Sequence, residues 1–316
     1  MKRRAEETQE TPAQLINHVQ SGASAAVQME FPSRRTLAKV VNRVWKACAS
    51  APALPTDRAE WIGLVEKIYV DGTFSLSPKL FQQVFVVLAE RSGFVFPVCY
   101  ALLPNKSQAS YTRMIQLLCT AWPHFKPTTV SLDFELGLIN AFRTTFPDAE
   151  MNGCLFHLVK NMKGKLMDLG LVKRYNQDAE FALYARMIPA VAFFPPEHVD
   201  VAISELAPEL PEELMPVLNY FEDNYVGRLR LAPGREVSRA DPRFPIAMWS
   251  VYQRTLDGDG RTNNFAEAAH RRLQGEFGVD HPSLWKFIDG SRNVQQARDV
   301  DYWAGNYRPS VSTSAT

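Results

Sequence analysis

Short apolar segments separated by turn signals dominate the part of the chain that follows its N-terminal region. Segments at 65–70, 83–90 and 94–103 are rich in Val and other apolar residues. Apolar runs of this length, joined by short turns, are typical of strands, so we predict an antiparallel meander of three strands. Pro97 lies inside the third segment and restricts that strand to an edge or a bulge of the sheet.

Helix and strand patterns alternate in the next part of the chain. Apolar residues recur at helical spacing in three stretches, at 111–122, 139–146 and 159–169. Short apolar segments at 128–133 and 151–154 precede the second and third of these helices. We therefore predict an α/β fold in which helices cover the faces of a mixed sheet.

Strand patterns fade in the C-terminal half, where the chain becomes helical and rich in proline. We interpret residues 175–254 as an all-helical insertion. It would interrupt an α/β core made of residues 61–174 and 255–300. A basic helical region is predicted for residues 1–60, and a flexible tail of small and polar residues for 301–316.

Charge is distributed unevenly, although the net charge of the chain is only +1. The window 178–223 contains ten acidic residues and a single basic one, Arg186. The rest of the chain keeps 34 basic and 24 acidic residues, a net charge of +10. A basic body with an acidic segment indicates a polyanion such as nucleic acid as the partner of the basic part.

Composition and cysteine spacing exclude several classes of protein. Hydrophobic residues make up 46% of the chain, which argues against wholesale disorder. No apolar run of about 18 residues occurs, and the N-terminus lacks the apolar core of a signal peptide. The four cysteines form no CxxC pair, so we expect a reducing intracellular compartment and no cysteine-built zinc finger.

Two aspartates stand where strands are predicted to end. Asp71 ends the first strand and is followed by Gly72, which allows a close approach to the backbone, and Asp133 ends the strand after the meander. Two neighbouring carboxylates favour a cation between them, and Mg²⁺ prefers carboxylate oxygen. Alternatively, Asp71 is a turn residue and Asp133 caps the following helix.

A third acid, Glu267, lies on a predicted helix near the C-terminus. Helical spacing places Asn263, His270 and Arg271 on the same face as Glu267. Such a stripe suits the binding of a metal or a phosphate. The alternative is a solvated face on which Glu267 pairs with Arg271.

Cys154 and His157 are spaced as C-x-x-H. A structural zinc ion needs four ligands, and no second pair lies nearby, so a zinc site is weakly supported. Cys154 follows an apolar strand, where a buried thiol is common. His157 on the next helix would contact phosphate or brace the site.

Four segments, taken together and in this order, resemble the transposase domain of Mutator-like elements (MULE), a group of DDE transposases with an RNase H-like fold. The likeness covers roughly residues 61–287 and rests on the combination rather than on any one segment. The matching segments are Asp71-Gly72-Thr73-Phe74, Leu132-Asp133-Phe134-Glu135 with Asn140-Ala141-Phe142, Gly153-Cys154-Leu155-Phe156-His157-Leu158 and Thr262-Asn263-Asn264-Phe265-Ala266-Glu267-Ala268-Ala269-His270.

The resemblance implies that Asp71, Asp133 and Glu267 are the catalytic acids and that they hold two Mg²⁺ or Mn²⁺ ions. These ions would activate water for DNA strand cleavage and then a DNA 3′-hydroxyl for strand transfer. Glu135, two residues after Asp133, is an alternative for the second acid, although its position in the family pattern favours Asp133. The long gap before Glu267 fits a helical insertion between the second and third acids.

The resemblance also implies a set of residues that bind DNA or support the site. They are Cys154, His157, Lys160, Lys163, Asn263, Asn264, His270 and Arg271. Expected partners are double-stranded DNA at transposon ends and targets, and a second copy of the chain, in the nucleus and away from membranes. Proteins of this type often carry an N-terminal zinc module, and no cysteine–histidine array precedes Asp71.

Two other functions compete with transposition. A domesticated, catalytically silent protein that binds DNA or regulates would keep the fold and, if recently derived, the acids. A nuclease acting on RNA–DNA hybrids fits the fold but not the segment that contains Glu267.

The region of Pro245 and Trp249 is a further place where a flipped base or a hairpin end could be held.

Overall fold

The computed structural model describes residues 65–91, 94–230 and 238–301. The basic region predicted for 1–60 lies outside the described residues. So does the predicted tail, apart from Asp301.

Five strands form one mixed sheet in the order β3-β2-β1-β4-β5. The strands are β1 (Lys67–Thr73), β2 (Gln83–Arg91), β3 (Phe94–Leu103), β4 (Thr129–Leu132) and β5 (Glu150–Gly153). β1, β2 and β3 pair antiparallel, whereas β4 runs parallel to both β1 and β5. The α/β fold with a mixed sheet is confirmed, and so is the three-stranded meander.

Pro97 lies in β3, which is an edge strand of the sheet. Val87 pairs with Cys99 and Leu88 pairs with Pro97, so β3 carries one extra residue at this point. This is a bulge, and proline is tolerated there because it lacks the N–H that a regular ladder needs. Both features expected from the proline are therefore present.

Helices surround the sheet and fill the region of the insertion. Those of the core are α1 (Gln108–Ala121), α2 (Leu136–Thr145) and α3 (Leu155–Asp168), followed near the C-terminus by α10 (Asn264–Phe277) and α11 (Leu284–Asp301). Between them lie α4 (Val172–Gln177), α5 (Ala179–Ala190), α6 (Val199–Leu206), α7 (Met215–Phe221), α8 (Ile246–Trp249) and α9 (Tyr252–Leu256), with short 3₁₀ turns and a π-helical turn at Glu222–Val226.

The insertion, expected to be all helical, also contains a short antiparallel pair of strands, β6 (Leu229–Arg230) and β7 (Ser238–Arg239). Arg239 holds this pair in place. Its guanidinium donates to the Gly227 carbonyl and pairs with Glu222, so the hairpin is fixed to the preceding π-helical turn.

Alternation along β1 directs side chains into two separate buried clusters. Ile68 and Val70 join a large cluster with α1, α2 and α3, whereas Tyr69 joins a smaller cluster with Leu273 of α10. Trp249 of the insertion belongs to the large cluster. The insertion and one face of the sheet therefore share a single core, while α10 and α11 cover the opposite face.

Candidate active site

Three residues lie at the same level on neighbouring strands, near the carboxyl end of β1 and directly after β4 and β5. The prediction that Asp71 ends the first strand was wrong by two residues, because β1 keeps its pairing with β2 as far as Thr73. β1 and β4 pair in parallel as far as Tyr69 and Ser131, and continuing this register by two residues places Asp71 beside Asp133. β4 and β5 pair to their last residues, so Asp133 and Cys154, which follow them, are also level. The two aspartates singled out in the sequence are thus brought together by strand pairing.

Each aspartate is held by the backbone that follows it. Oδ1 of Asp71 accepts from the Gly72 N–H at 2.8 Å, and Oδ1 of Asp133 accepts from the Phe134 N–H at 2.6 Å. The residue at the N-cap of α2 is Glu135, so Asp133 does not cap this helix. Asp71 lies inside β1, where it pairs with Val86 of β2, and is not a turn residue. Both alternatives for these two positions are therefore wrong.

Gly72 is required by a close side-chain neighbour. A Cβ at this position would lie 2.2 Å from Oε1 of Gln83. Gln83 is buried and cannot swing away freely, because its amide donates to the Tyr111 hydroxyl at 2.8 Å. The close approach expected at Gly72 is thus made by Gln83.

His157 lies between the two aspartates. Its Nε2 is 4.0 Å from Oδ1 of Asp71, and its Nδ1 is 3.9 Å from Oδ1 of Asp133. The ring is buried, and within the described residues its Nδ1 has no hydrogen-bond partner. Burial favours the neutral ring, but Cys154 and the two aspartates outweigh it and raise the pKa of His157 to about 8. At neutral pH His157 therefore offsets part of the negative charge beside it.

Asp71 carries a charge that the fold disfavours. Burial is the largest influence on its pKa and raises it, and the neighbouring Asp133 raises it further. His157 and Lys160 act in the opposite direction, and the resulting pKa of Asp71 is about 6. The ionised pair is therefore costly without more positive charge nearby.

His270 approaches Asp71 from α10, on the other side. Its Nδ1 is 3.8 Å from Oδ2 of Asp71, and its buried Nε2 has no partner among the described residues. Burial lowers the pKa of His270 to about 4. This ring is therefore neutral at pH 7, in contrast to His157, and keeps a free lone pair.

Asn263 ties the start of α10 to two strands. Its Nδ2 donates to the Val70 carbonyl at 2.9 Å, and its backbone N–H donates to Sγ of Cys154 at 3.1 Å. The buried Oδ1 of Asn263 has no partner within the described part of the chain. Cys154 thus acts as a hydrogen-bond acceptor that helps to place α10.

Glu267 is not grouped with the two aspartates in the structure. Its carboxylate lies 3.8 Å from Nη1 of Arg271, whose side chain is largely exposed. Asn264 is also exposed. Across the residues described, no group of three or more His, Cys, Asp or Glu side chains is arranged to hold a metal ion. The two aspartates suit a divalent cation by chemistry and position, but a third ligand is not assembled with them.

Glu135 is engaged elsewhere. Its Oε2 lies 2.8 Å from Nζ of Lys106, so the carboxylate already has a cation as its partner. Lys106 was not singled out in the sequence. It precedes Glu135 by 29 residues, and no local pattern signals the pairing.

Trp249 is not a place for a flipped base. Its side chain is fully buried, and its Nε1 donates to the Tyr225 carbonyl at 2.6 Å. Its ring belongs to the core shared by the insertion and the sheet, whereas Pro245 is exposed, so a hairpin end at this region stays a prediction.

The side chains of Lys160 and Lys163 on α3 are exposed. They are therefore accessible to a large partner. Lys160 is also close enough to Asp71 to lower the pKa of that carboxyl.

A family comparison bears directly on this arrangement. The model of the MULE transposase domain matches residues 67–161. Residues 67–161 form a MULE transposase domain. This MULE domain runs from the first residue of β1 into α3 and contains both aspartates, Cys154 and His157. The resemblance found in the sequence is confirmed for this stretch, and it indicates a transposase-related function.

The match ends before Lys163 and before α10, so Glu267 and His270 lie outside the MULE domain as matched. A comparison with curated proteins found no match. Within the described ranges, none of the helices is long and apolar enough to cross a membrane.

Proposed function

We propose that this chain is a DDE-type transposase domain that cleaves and joins DNA strands with divalent metal ions. One observation carries the proposal: inside a MULE domain, Asp71 and Asp133 lie level on neighbouring parallel strands. The pKa of Asp71 is raised because its charge is buried beside another carboxylate. A cation between the two would remove this cost.

The donor chemistry of the two aspartates fits Mg²⁺ or Mn²⁺, which prefer carboxylate oxygen. Asp71 and Asp133 would hold the metal, and Glu267 would be the third ligand, although it pairs with Arg271 in this structure. Bound metal would supply Lewis-acid activation of water and of a DNA 3′-hydroxyl.

The remaining residues have supporting roles in this proposal. His157 offsets the charge of both aspartates, and Asn263 and Cys154 position α10. The polar side chains of Lys160, Lys163, Asn264, His270 and Arg271 would contact or neutralise phosphate. The proposed partners are double-stranded DNA and a second copy of the chain, and the proposed location is the nucleus.

Metal-dependent nicking tests the proposal. The purified protein is incubated with Mn²⁺ or Mg²⁺ and end-labelled duplex DNA, alongside Asp71→Asn, Asp133→Asn and Glu267→Gln. We expect each variant to lose activity by roughly 100-fold or more, since ligands to a reacting group act as a unit. Glu213→Gln, an exposed acid of the insertion, is the matched control and should keep full activity.

The proposal fails if the folded wild-type protein nicks no DNA with either metal, or if Asp71→Asn nicks as well as the wild type. Loss in the two aspartate variants with full activity in Glu267→Gln would remove Glu267 alone from the site. That result is informative because Glu267 is not assembled with the aspartates in the structure.

A second function is favoured by the incomplete set of metal ligands, since Glu267 is not assembled with the two aspartates. A domesticated, catalytically silent DNA-binding or regulatory protein would not need a complete set of metal ligands. It predicts a chain that binds duplex DNA in EDTA, shows no calorimetric binding of Mn²⁺ and nicks nothing. Mn²⁺ binding that Asp71→Asn abolishes would exclude it.

A further inference from the structure

A groove of about 580 Å³ runs along the outer side of α3. We call it the α3 groove. One wall comes from α3 and the other from Tyr220 of α7, a helix of the insertion. Its lining includes Lys160, Lys163, Gly164, Lys165, Met167 and Tyr220.

The spacing of the lysines gives the groove a direction. Lys160, Lys163 and Met167 follow one stripe of α3, because residues three and four apart lie on the same side of a helix. The stripe spans about 10 Å at 1.5 Å per residue. Two members of the stripe are lysines, so it can contact two phosphates of one DNA strand.

The lysines of the α3 groove have no carboxylate partner in the part of the chain that the structure describes. Among the described residues, Lys160, Lys163 and Lys165 form no ion pair with a carboxylate, although Asp168 lies at the end of the groove. Lys165 instead lies 5.7 Å from the centre of the Tyr220 ring. Lysines that meet only aromatic rings remain available to an anion.

The groove begins near the aspartates, at Lys160. His157, one turn before Lys160 and Asn161 on α3, contacts both Asp71 and Asp133. Lys160 lines the groove and also acts electrostatically on Asp71. An anionic chain that follows the groove is therefore led towards the strand ends.

Gly164 is unusual in the interior of α3. A helix-interior glycine is less stable than alanine by about 1 kcal/mol. Nothing lies within 4 Å of the position that a Cβ would occupy, so packing does not require the glycine. It lines the groove, and the space over this position is open, so a large side chain there would occupy part of the groove.

We propose that the α3 groove binds the phosphate backbone of the DNA strand that leads to Asp71 and Asp133, with Tyr220 of the insertion as its outer wall. This inference rests on the proposed function in taking DNA as the substrate. It adds that the insertion takes part in DNA binding, despite its acidic composition. Lys165, Gly164 and Tyr220 join the residues that contact DNA.

Binding in EDTA tests the groove without any catalysis. Fluorescence anisotropy with a labelled duplex, measured from 50 to 200 mM NaCl, gives the dependence of affinity on salt. For Lys160→Gln/Lys163→Gln we expect the slope of log K against log salt to fall by about 1.8, at about 0.9 per phosphate contact. Affinity at 150 mM should fall on the order of 10-fold or more.

The control pair is Lys126→Gln/Lys286→Gln, which removes two exposed lysines outside the groove. It should leave the slope unchanged. The space itself is tested by Gly164→Leu, which should lose affinity comparably to the lysine variant. Gly164→Ala leaves the space open and should bind as the wild type does.

An unchanged salt slope in Lys160→Gln/Lys163→Gln overturns the groove, whether or not the protein nicks DNA. Competition by poly-glutamate equal to that of unlabelled duplex also overturns it, since it would indicate an acidic protein as the partner. If the lysine variant binds weakly while the wild type never nicks DNA, the groove stands and the proposed nuclease chemistry fails.

Discussion

The carboxyl ends of the strands and the helical insertion differ in the burial and pairing of their charged side chains. At the strand ends, Asp71 is largely buried beside another carboxylate, and buried nitrogens of His157 and His270 lack partners among the described residues. In the insertion, acids lie at the surface and pair with arginines. Buried polar atoms without partners are costly, so the first arrangement indicates a ligand and the second does not.

Arginines on either side of the acidic window reduce the separation of charge that the sequence predicts. Five of the ten acids in the 178–223 window pair with arginines that lie just outside it. Arg174 pairs with Asp178 and Glu213, Arg228 with Asp223, and Arg239 with Asp200 and Glu222. The acidic segment is therefore partly neutralised by its own flanks, and the contrast between a basic body and an acidic insertion is smaller in the fold than along the chain.

The pKa directions follow the same division. Burial raises the pKa of Asp71, whereas a backbone N–H and Arg174 lower the pKa of Asp178, and Arg228 lowers that of Asp223. Raised pKa values of carboxyls mark charges that the fold does not support by itself. Lowered values mark charges that are already satisfied.

The largest expected effect tests whether the two regions are separate in their cores as well as in their charge. Trp249→Ala removes a fully buried ring and the hydrogen bond to the Tyr225 carbonyl. We expect the free energy of unfolding in urea to fall by about 3–5 kcal/mol. Because Trp249 shares a cluster with Val70, amides of β1 should lose hydrogen-exchange protection together with those of α7.

Leu183→Ala on the exposed side of α5 is the control and should change stability by no more than about 0.5 kcal/mol. If Trp249→Ala loosened only the helices and left the protection of β1 intact, the insertion would be an independent unit. The two regions would then differ in their cores as well as in their surface charge.

Local pattern accounts for what the sequence could predict. The meander and the position of Asp133 directly after its strand follow from apolar runs and their ends, and the edge position of Pro97 follows from the N–H that proline lacks. Strand pairing then brings Asp71 and Asp133 together, because the parallel register of β1 and β4 places them at the same level.

Contacts between distant segments could not be predicted in this way. Asn263 donates to groups that lie 109 and 193 residues earlier in the chain. The place of Glu267 depends on how these bonds set the angle and rotation of α10, which periodicity does not determine. Helical spacing correctly put Glu267 near Arg271, but whether that face meets the aspartates is a property of packing.

A smaller effect sharpens the contrast in charge. Asp71→Asn keeps an acceptor for the Gly72 N–H and removes the buried charge. The folded pKa of about 6 lies above the unfolded value of 3.8, so ionised Asp71 destabilises the fold above pH 6. In metal-free buffer at pH 7.5, we expect the variant to be more stable than the wild type by about 1–3 kcal/mol.

The advantage of Asp71→Asn should shrink as the pH falls from 6 to 4, because the wild-type carboxyl then takes up its proton in the folded state. Urea titrations at pH 7.5, 6, 5 and 4 measure it, with Asp148→Asn on the surface as the control for loss of one negative charge. A variant that is less stable than the wild type at every pH would show that the buried charge is satisfied within the fold, and the strand ends would no longer differ from the insertion.

The smallest effect is expected among the arginines of the insertion. Arg228 pairs with Asp223 at the surface, and its side chain is 70% exposed, so Arg228→Gln should shift the melting temperature by no more than about 1 °C. Arg239 is the matched comparison, since its side chain is largely buried and also donates to the Gly227 carbonyl. Arg239→Gln should destabilise the protein by about 1–3 kcal/mol, because it leaves buried acceptors without a donor. Equal melting temperatures for the two variants would show that a pair at the surface and a pair in the interior contribute equally to stability. Exposure would then not explain why charges in the insertion are satisfied while those at the strand ends are costly.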